Sequence, residues 1–157
     1  MHPEARSTGS TYDERLWPPL WLWVVGWLMV GLLAVSVHAA LGPVWGLVAL
    51  LAPGALLTWG LISSAARIRV SDGELLAGRA RIPLELLGSA RPLDPVEARA
   101  VRGPESDPAG YHLIRGWVPT GVTMAVTDPA DPTPYWFVAT RRPQALAAAV
   151  DAARPER

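Results

Sequence analysis

Carboxylates, one strand histidine and a pair of arginines are the side chains of this 157-residue chain whose types and spacing bear on chemistry. Asp128 and Asp131, in the stretch DPADP, offer two oxygen donors, whereas a hard divalent cation takes six or more. No further carboxylate or histidine clusters beside them in sequence, and Asp-Pro pairs are turn formers, so the turn reading is preferred. His112, in YHLIRGWV, has no serine or cysteine nucleophile pattern around it, and a structural or solvated histidine is expected there. Asp94, Glu97, Glu105 and Asp107 fall in DPVEARAVRGPESDPAG, residues 94–110, which reads as a loop. They form a solvated surface or an acidic patch for a partner. With no cysteine, thiolate and disulfide chemistry are excluded. No phosphate-binding glycine loop, zinc spacing or nucleophile elbow occurs. The expectation is a non-catalytic protein with no catalytic residues, no metal and no cofactor.

The densest cluster of aromatic and cationic side chains is DPTPYWFVATRRPQALAAAV, residues 131–150. Strand alternation puts Tyr135, Phe137 and Ala139 on one face and Trp136, Val138 and Thr140 on the other. Neither set is polar, so both faces are expected to be covered, by different neighbours. Arg141 and Arg142 precede Pro143, where a helix is expected to start, and cations at the positive end of a helix dipole want an anion nearby. That anion is expected to be an acidic side chain from residues 94–110 or a lipid phosphate. Two readings stand. The weightier is a core strand followed by two solvated arginines; the other makes Trp136, Arg141 and Arg142 a contact for anionic lipid headgroups or a partner protein.

The elements that position these residues divide sharply. Residues 16–66 contain no Asp, Glu, Lys or Arg, and the fourteen carboxylates and fourteen cations, every cation an arginine, lie outside that block. So long an uncharged run suits a bilayer rather than a soluble core. HAALGP divides it into helices expected at 20–39 and 44–63, each about 30 Å long, the thickness of the hydrocarbon layer. Trp17, Trp21, Trp23, Trp45 and Trp59 fall at interfacial depths, whereas Trp27 is deeper and packs on a helix or on lipid. Pro53 and Gly54 suggest a kink, and Gly60 with Ser64 forms a pair of small residues suited to close helix approach. The connecting loop has no arginine, while Arg15 precedes the first helix and Arg67, Arg69, Arg79 and Arg81 follow the second. The positive-inside rule therefore expects a multi-pass protein of the cytoplasmic (inner) membrane with both termini cytoplasmic. VHA, residues 37–39, resembles a signal cleavage site, but the nearly neutral start and the second apolar segment argue against cleavage. The zero net charge implies no nucleic-acid partner. The expected partner is the lipid bilayer, with another membrane protein or anionic headgroups beside it.

After an N-terminal cytoplasmic tail, residues 1–15, and the hairpin, residues 16–66, the remaining 67–157 form the third region. RIRV, SDG and ELLAG read as a β-hairpin. RIPLELLGSARPL reads as a strand, a brief turn or helix, and a strand. YHLIRGWV, GVTMAVTDP and PYWFVAT have strand character, and Pro143 opens a helix over 143–153 with Leu146, Ala149, Val150 and Ala153 as its stripe. The fold class is α+β: a two-helix transmembrane hairpin, then a small antiparallel β sandwich or barrel closed by a C-terminal helix.

The opening YDERLWPPLWLW, the segment IRVSDGELLAGRARIPLELLGSARPLD and the ending DPADPTPYWFVATRRPQALAAAV together resemble the actinobacterial membrane family termed domain of unknown function 3093 (DUF3093). The resemblance runs from about Tyr12 to Ala153 and implies no catalytic residue. The strand and helix order is similar, in fold alone, to bacterial pleckstrin-homology-like domains. The expected function is a membrane-anchored interaction or scaffold protein. The alternatives are an accessory subunit of a transport or envelope complex, or a membrane-associated enzyme whose pocket is formed only in three dimensions.

Overall fold

Nothing in the uncharged block opposes helix until Gly42. In the computed structural model, which describes residues 12–103 and 106–155, helix α1 spans Leu20–Leu41 and α2 spans Pro43–Ser63. Gly42 takes φ 92°, which side chains resist, and the fixed φ of Pro43 starts the second helix. Both helices are long and apolar enough to cross a membrane. Their mutual contact is made at small residues. A Cβ at Gly46 would stand 2.6 Å from the Cβ of His38, and one at Gly54 would stand 2.9 Å from the Trp27 ring. Trp27 therefore packs on a helix. Gly60, expected to mark the close approach with Ser64, faces open space; Gly46 and Gly54, the buried residues of α2, take that role.

These helices, residues 17–66, form one compact unit, and the described residues of 1–16 and 67–157 form the other. In the second unit β1 (Tyr12–Leu16) precedes the hairpin and β2 (Ala66–Ser71) follows it, yet the two are hydrogen-bonded neighbours. Part of the expected tail is thus a strand. Tyr12, Glu14 and Leu16 point inward and Asp13 and Arg15 outward. A glutamate on the inward face is what hid the alternation from a pattern search. Strands β3 (Glu74–Ala77) and β4 (Ala80–Pro83) complete a sheet of order β1-β2-β3-β4. The β2–β3 turn has Asp72 at φ 54° and Gly73 at φ 76°, the left-handed pair that an Asp-Gly hairpin favours. Ile68, Val70, Leu75 and Ala77 are wholly buried.

After a 3-10 turn over Leu84–Leu86 come β5 (Arg91–Leu93), β6 (Tyr111–Leu113), β7 (Gly121–Ala125) and β8 (Tyr135–Ala139), in a sheet of order β5-β7-β8-β6. The β5–β7 and β7–β8 pairs are antiparallel, as expected. The β6–β8 pair is parallel, a departure from a purely antiparallel domain. The order leaves β6 the free edge of β8, where it runs opposite to β7. Among the described residues neither sheet closes into a barrel. Tyr111 Oη, donating to the Ala77 carbonyl at 2.8 Å, and Thr127 N, donating to the Leu86 carbonyl at 2.8 Å, tie the sheets together.

Residues 94–110, read above as a loop, contain helix α3 (Pro95–Arg102). Asp94 accepts from Val96 N and Glu97 N, and Glu97 reaches back to Asp94 N, a complete capping box with Pro95 at the first helical position. Arg102 then binds the carbonyls of Val118 and Pro119 at 3.1 Å each. Helix α4 (Pro143–Ala153) buries Leu146, Ala147, Ala149 and Val150 and packs on β5, β7 and β1.

Candidate functional site

Strand β8 has four consecutive residues, Trp136 to Ala139, buried, and Thr140 after it is buried too, so both of its faces are covered. Trp136 is 6% exposed and lies against Tyr111, ring centroids 4.2 Å apart. It is a core residue, and of the three candidate contact residues only Arg141 and Arg142 reach the surface.

Where β8 ends and α4 begins, the chain must satisfy backbone N–H groups that have no intrahelical partner. Arg142 is the residue before the first turn, and no side chain of its own caps the helix. Thr140, wholly buried, supplies one acceptor, its Oγ1 receiving the Arg142 N–H at 3.1 Å. Glu14, projecting inward from β1 and 6% exposed, lies beside it. Its Oε1 accepts from Arg141 N at 3.2 Å, and its Oε2 accepts from Tyr12 Oη at 2.6 Å and from Thr140 Oγ1. The Arg142 guanidinium lies 5.8 Å from the centre of the Tyr12 ring, within cation–π range. Burial first, and then the Glu14 hydrogen bond, push the Tyr12 hydroxyl up to about 12, so it remains a donor at neutral pH.

A carboxylate therefore sits at the β8–α4 corner: Glu14, contributed from the far side of the hairpin in sequence, which accepts from the Arg141 backbone N–H. Three donors converge on its carboxylate, which gives it a structural role: it fastens β1 to the β8–α4 corner. Separation in sequence, 126 residues from Glu14 to Thr140, is why no local motif announces it.

The remaining candidates take local roles, apart from Glu105, which lies outside the described residues. Asp128 accepts from Ala130 N and Asp131 from Thr133 N, each at 2.9 Å, which makes DPADP a pair of side-chain-closed turns. The Thr133 bonds hold the Asp131 carboxyl below its ordinary range. His112 contacts the Gly110 carbonyl through Nδ1 and Tyr135 Oη through Nε2, both at 3.0 Å, and the same Oη accepts from Asp107 N. Asp94 and Glu97 cap α3. On the outer side of β1, Asp13 pairs with Arg67, whose guanidinium lowers the Asp13 carboxyl.

Fold and site together define an α+β chain in which an apolar helical hairpin is inserted between the first two strands of a β unit, and a buried carboxylate locks the first of those strands in place. The chain belongs to the family described as "Protein of unknown function (DUF3093)", whose model matches residues 11–150. No curated protein and no solved structure matches it.

Proposed function

We propose that this is a membrane-anchored, non-catalytic interaction protein: a two-helix hairpin in the cytoplasmic membrane carrying a folded cytoplasmic domain that docks other proteins. One observation carries the reading. The strands flanking the hairpin, β1 and β2, are neighbours in one sheet, so both hairpin ends return to a single folded body. Such a chain cannot place its termini on opposite sides of a bilayer without breaking the sheet. Arginines at those ends, Arg15, Arg67 and Arg69, give the cytoplasmic orientation by the positive-inside rule. Cleavage after Ala39 would remove β1 and Glu14 from the domain, which argues for an intact chain. The strand order with a terminal helix supports a likeness to pleckstrin-homology-like domains, the parallel β6–β8 pair being the departure.

Crosslinking in native membranes, with identification of the captured proteins, tests the docking role. Topology reporters at Gly42 and at the C-terminus test the placement. The expected result is a carbonate-resistant protein with an external loop, an internal C-terminus and a reproducible protein partner. Stoichiometric recovery with one large membrane complex would select the accessory-subunit reading. A carbonate-soluble protein, or a cytoplasmic reporter signal from the loop, would overturn the anchor.

A further inference from the structure

The outward face of the first sheet carries a feature that the anchoring role does not use. Register places Arg69 opposite Leu76 and Leu76 opposite Arg81, with Ser71 opposite Glu74. Directly opposed residues of an antiparallel pair share a face. Arg69, Ser71, Glu74, Leu76 and Arg81 are thus on one side, opposite to the buried Ile68, Val70, Leu75 and Ile82. With Asp72 from the turn they line a cavity of about 220 Å³.

One property of this cavity bears on an occupant. Two guanidinium groups and two carboxylates line one small space, yet none of Arg69, Asp72, Glu74 and Arg81 is ion-paired with another. Leu76 stands between the two arginines in the register, and the hairpin turn sets Asp72 and Glu74 at the other end. Opposite charges held apart in one cavity present a dipole with zero net charge. A simple anion gains little from a neutral lining, whereas an occupant bearing both signs satisfies both ends.

We propose that this cavity binds a small zwitterionic phosphoester, with the phosphate received by Arg69, Arg81 and the Ser71 hydroxyl and an ammonium group received by Asp72 and Glu74. The planar, multi-donor guanidinium suits phosphate oxygens. This chemistry has two sources: the headgroup of an aminoalcohol phospholipid, or the free water-soluble phosphoester. The lipid source rests on the membrane-anchor reading above. Arg69 follows the last residue of α2 by six positions, a covalent reach of about 20 Å at most, so an α2 that spans the bilayer keeps the cavity within reach of the headgroup layer.

The test uses the full chain. In detergent micelles, O-phosphoethanolamine, inorganic phosphate and ethanolamine are titrated separately and followed by ligand-observed NMR. O-phosphoethanolamine is expected to bind saturably and about tenfold more tightly than either half. Arg69→Gln and Arg81→Gln should each weaken it by about tenfold or more, and Glu74→Gln should weaken it while binding inorganic phosphate more tightly than the wild type does, since the lining is then net positive. Unchanged melting temperatures show that the variants fold; because Arg69 and Arg81 lie on different strands, either variant alone decides the point. In nanodiscs, a photoreactive phosphatidylethanolamine should label the 67–83 segment of the wild type and not of Arg81→Gln. Labelling together with micelle binding assigns the lipid source; micelle binding without labelling assigns the free phosphoester. Equal affinity for inorganic phosphate and O-phosphoethanolamine overturns the proposal, as does no saturable binding with no labelling. A chain that proves carbonate-soluble but still binds O-phosphoethanolamine defeats the anchor and leaves the cavity's chemistry standing.

Discussion

Glu14 is a buried carboxylate, and it is tolerable there because three donors converge on it. Replacing it with alanine leaves the Arg141 N–H and one hydroxyl proton without an acceptor in a buried corner, the Tyr12 and Thr140 hydroxyls still bonding each other. Each orphaned group costs about 1–3 kcal/mol, so Glu14→Ala is expected to destabilise the chain by about 2–4 kcal/mol in denaturant melts, with Glu14→Gln milder because it keeps an acceptor. A loss below about 0.5 kcal/mol would show that the corner is not held by this group. Tyr12 adds a pH signature. Its hydroxyl ionises near 10 when unfolded and near 12 when folded. Below pH 10 both states keep the proton and the contribution is complete. Between 10 and 12 only the unfolded state loses it, so stability falls as pH rises, by an amount on the order of 2 kcal/mol. Burial also raises Tyr111, so Tyr12→Phe should reduce the alkaline loss between pH 10 and 12 without abolishing it. Melting temperatures across that range, wild type against Tyr12→Phe, give the measurement.

Among the elements, α3 carries the clearest lesson. Eight residues make a marginal helix, and this one is held by the capping box at its start and by Arg102 gripping the Val118 and Pro119 carbonyls at its end. Asp94→Ala should cost about 1 kcal/mol, the usual worth of such a cap, and should raise amide exchange across Pro95–Arg102 while sparing α4. Uniform exchange changes in both helices would contradict a local role. The signature D-P-V-E was present in the sequence, and it was outweighed by the proline, glycine and charge of the surrounding stretch. By contrast α4 was legible to the residue, since proline at its first position and one apolar stripe need no tertiary information. The β2–β3 hairpin was equally legible because Asp72-Gly73 states its turn type directly. The pairing partner of β6 was not, since three residues of strand carry no directional signal.

On the scale of the whole molecule, the hairpin is an insertion into a β unit rather than an appendage behind a tail. Cutting the chain in the turn at Gly42 should therefore leave two fragments that remain together, held by the α1–α2 contact, the β1–β2 ladder and the Glu14 corner. With a protease site introduced at Leu41-Gly42, the fragments are expected to co-elute in mild detergent and to part only in denaturant. Separation without denaturant would mean that the β1 contacts are too weak to close the unit.

The sequence by itself determined whatever depends on near neighbours: two apolar helices broken at Gly42, the Asp-Gly hairpin, the strands with period two, the last helix and the Asp-Pro turns. Helical hydrogen bonds join residues four apart, and a two-residue turn is written in the residues it contains. Only the tertiary structure decided that β1 joins β2 across a hairpin of some fifty residues, that β6 lies parallel to β8, and that Glu14 reaches the β8–α4 corner. It likewise brought Arg69, Arg81, Asp72 and Glu74 around one cavity. Those outcomes depend on which strand edges and unsatisfied donors remain once the local elements have formed, and that competition is settled by burial and hydrogen-bond satisfaction over the whole domain.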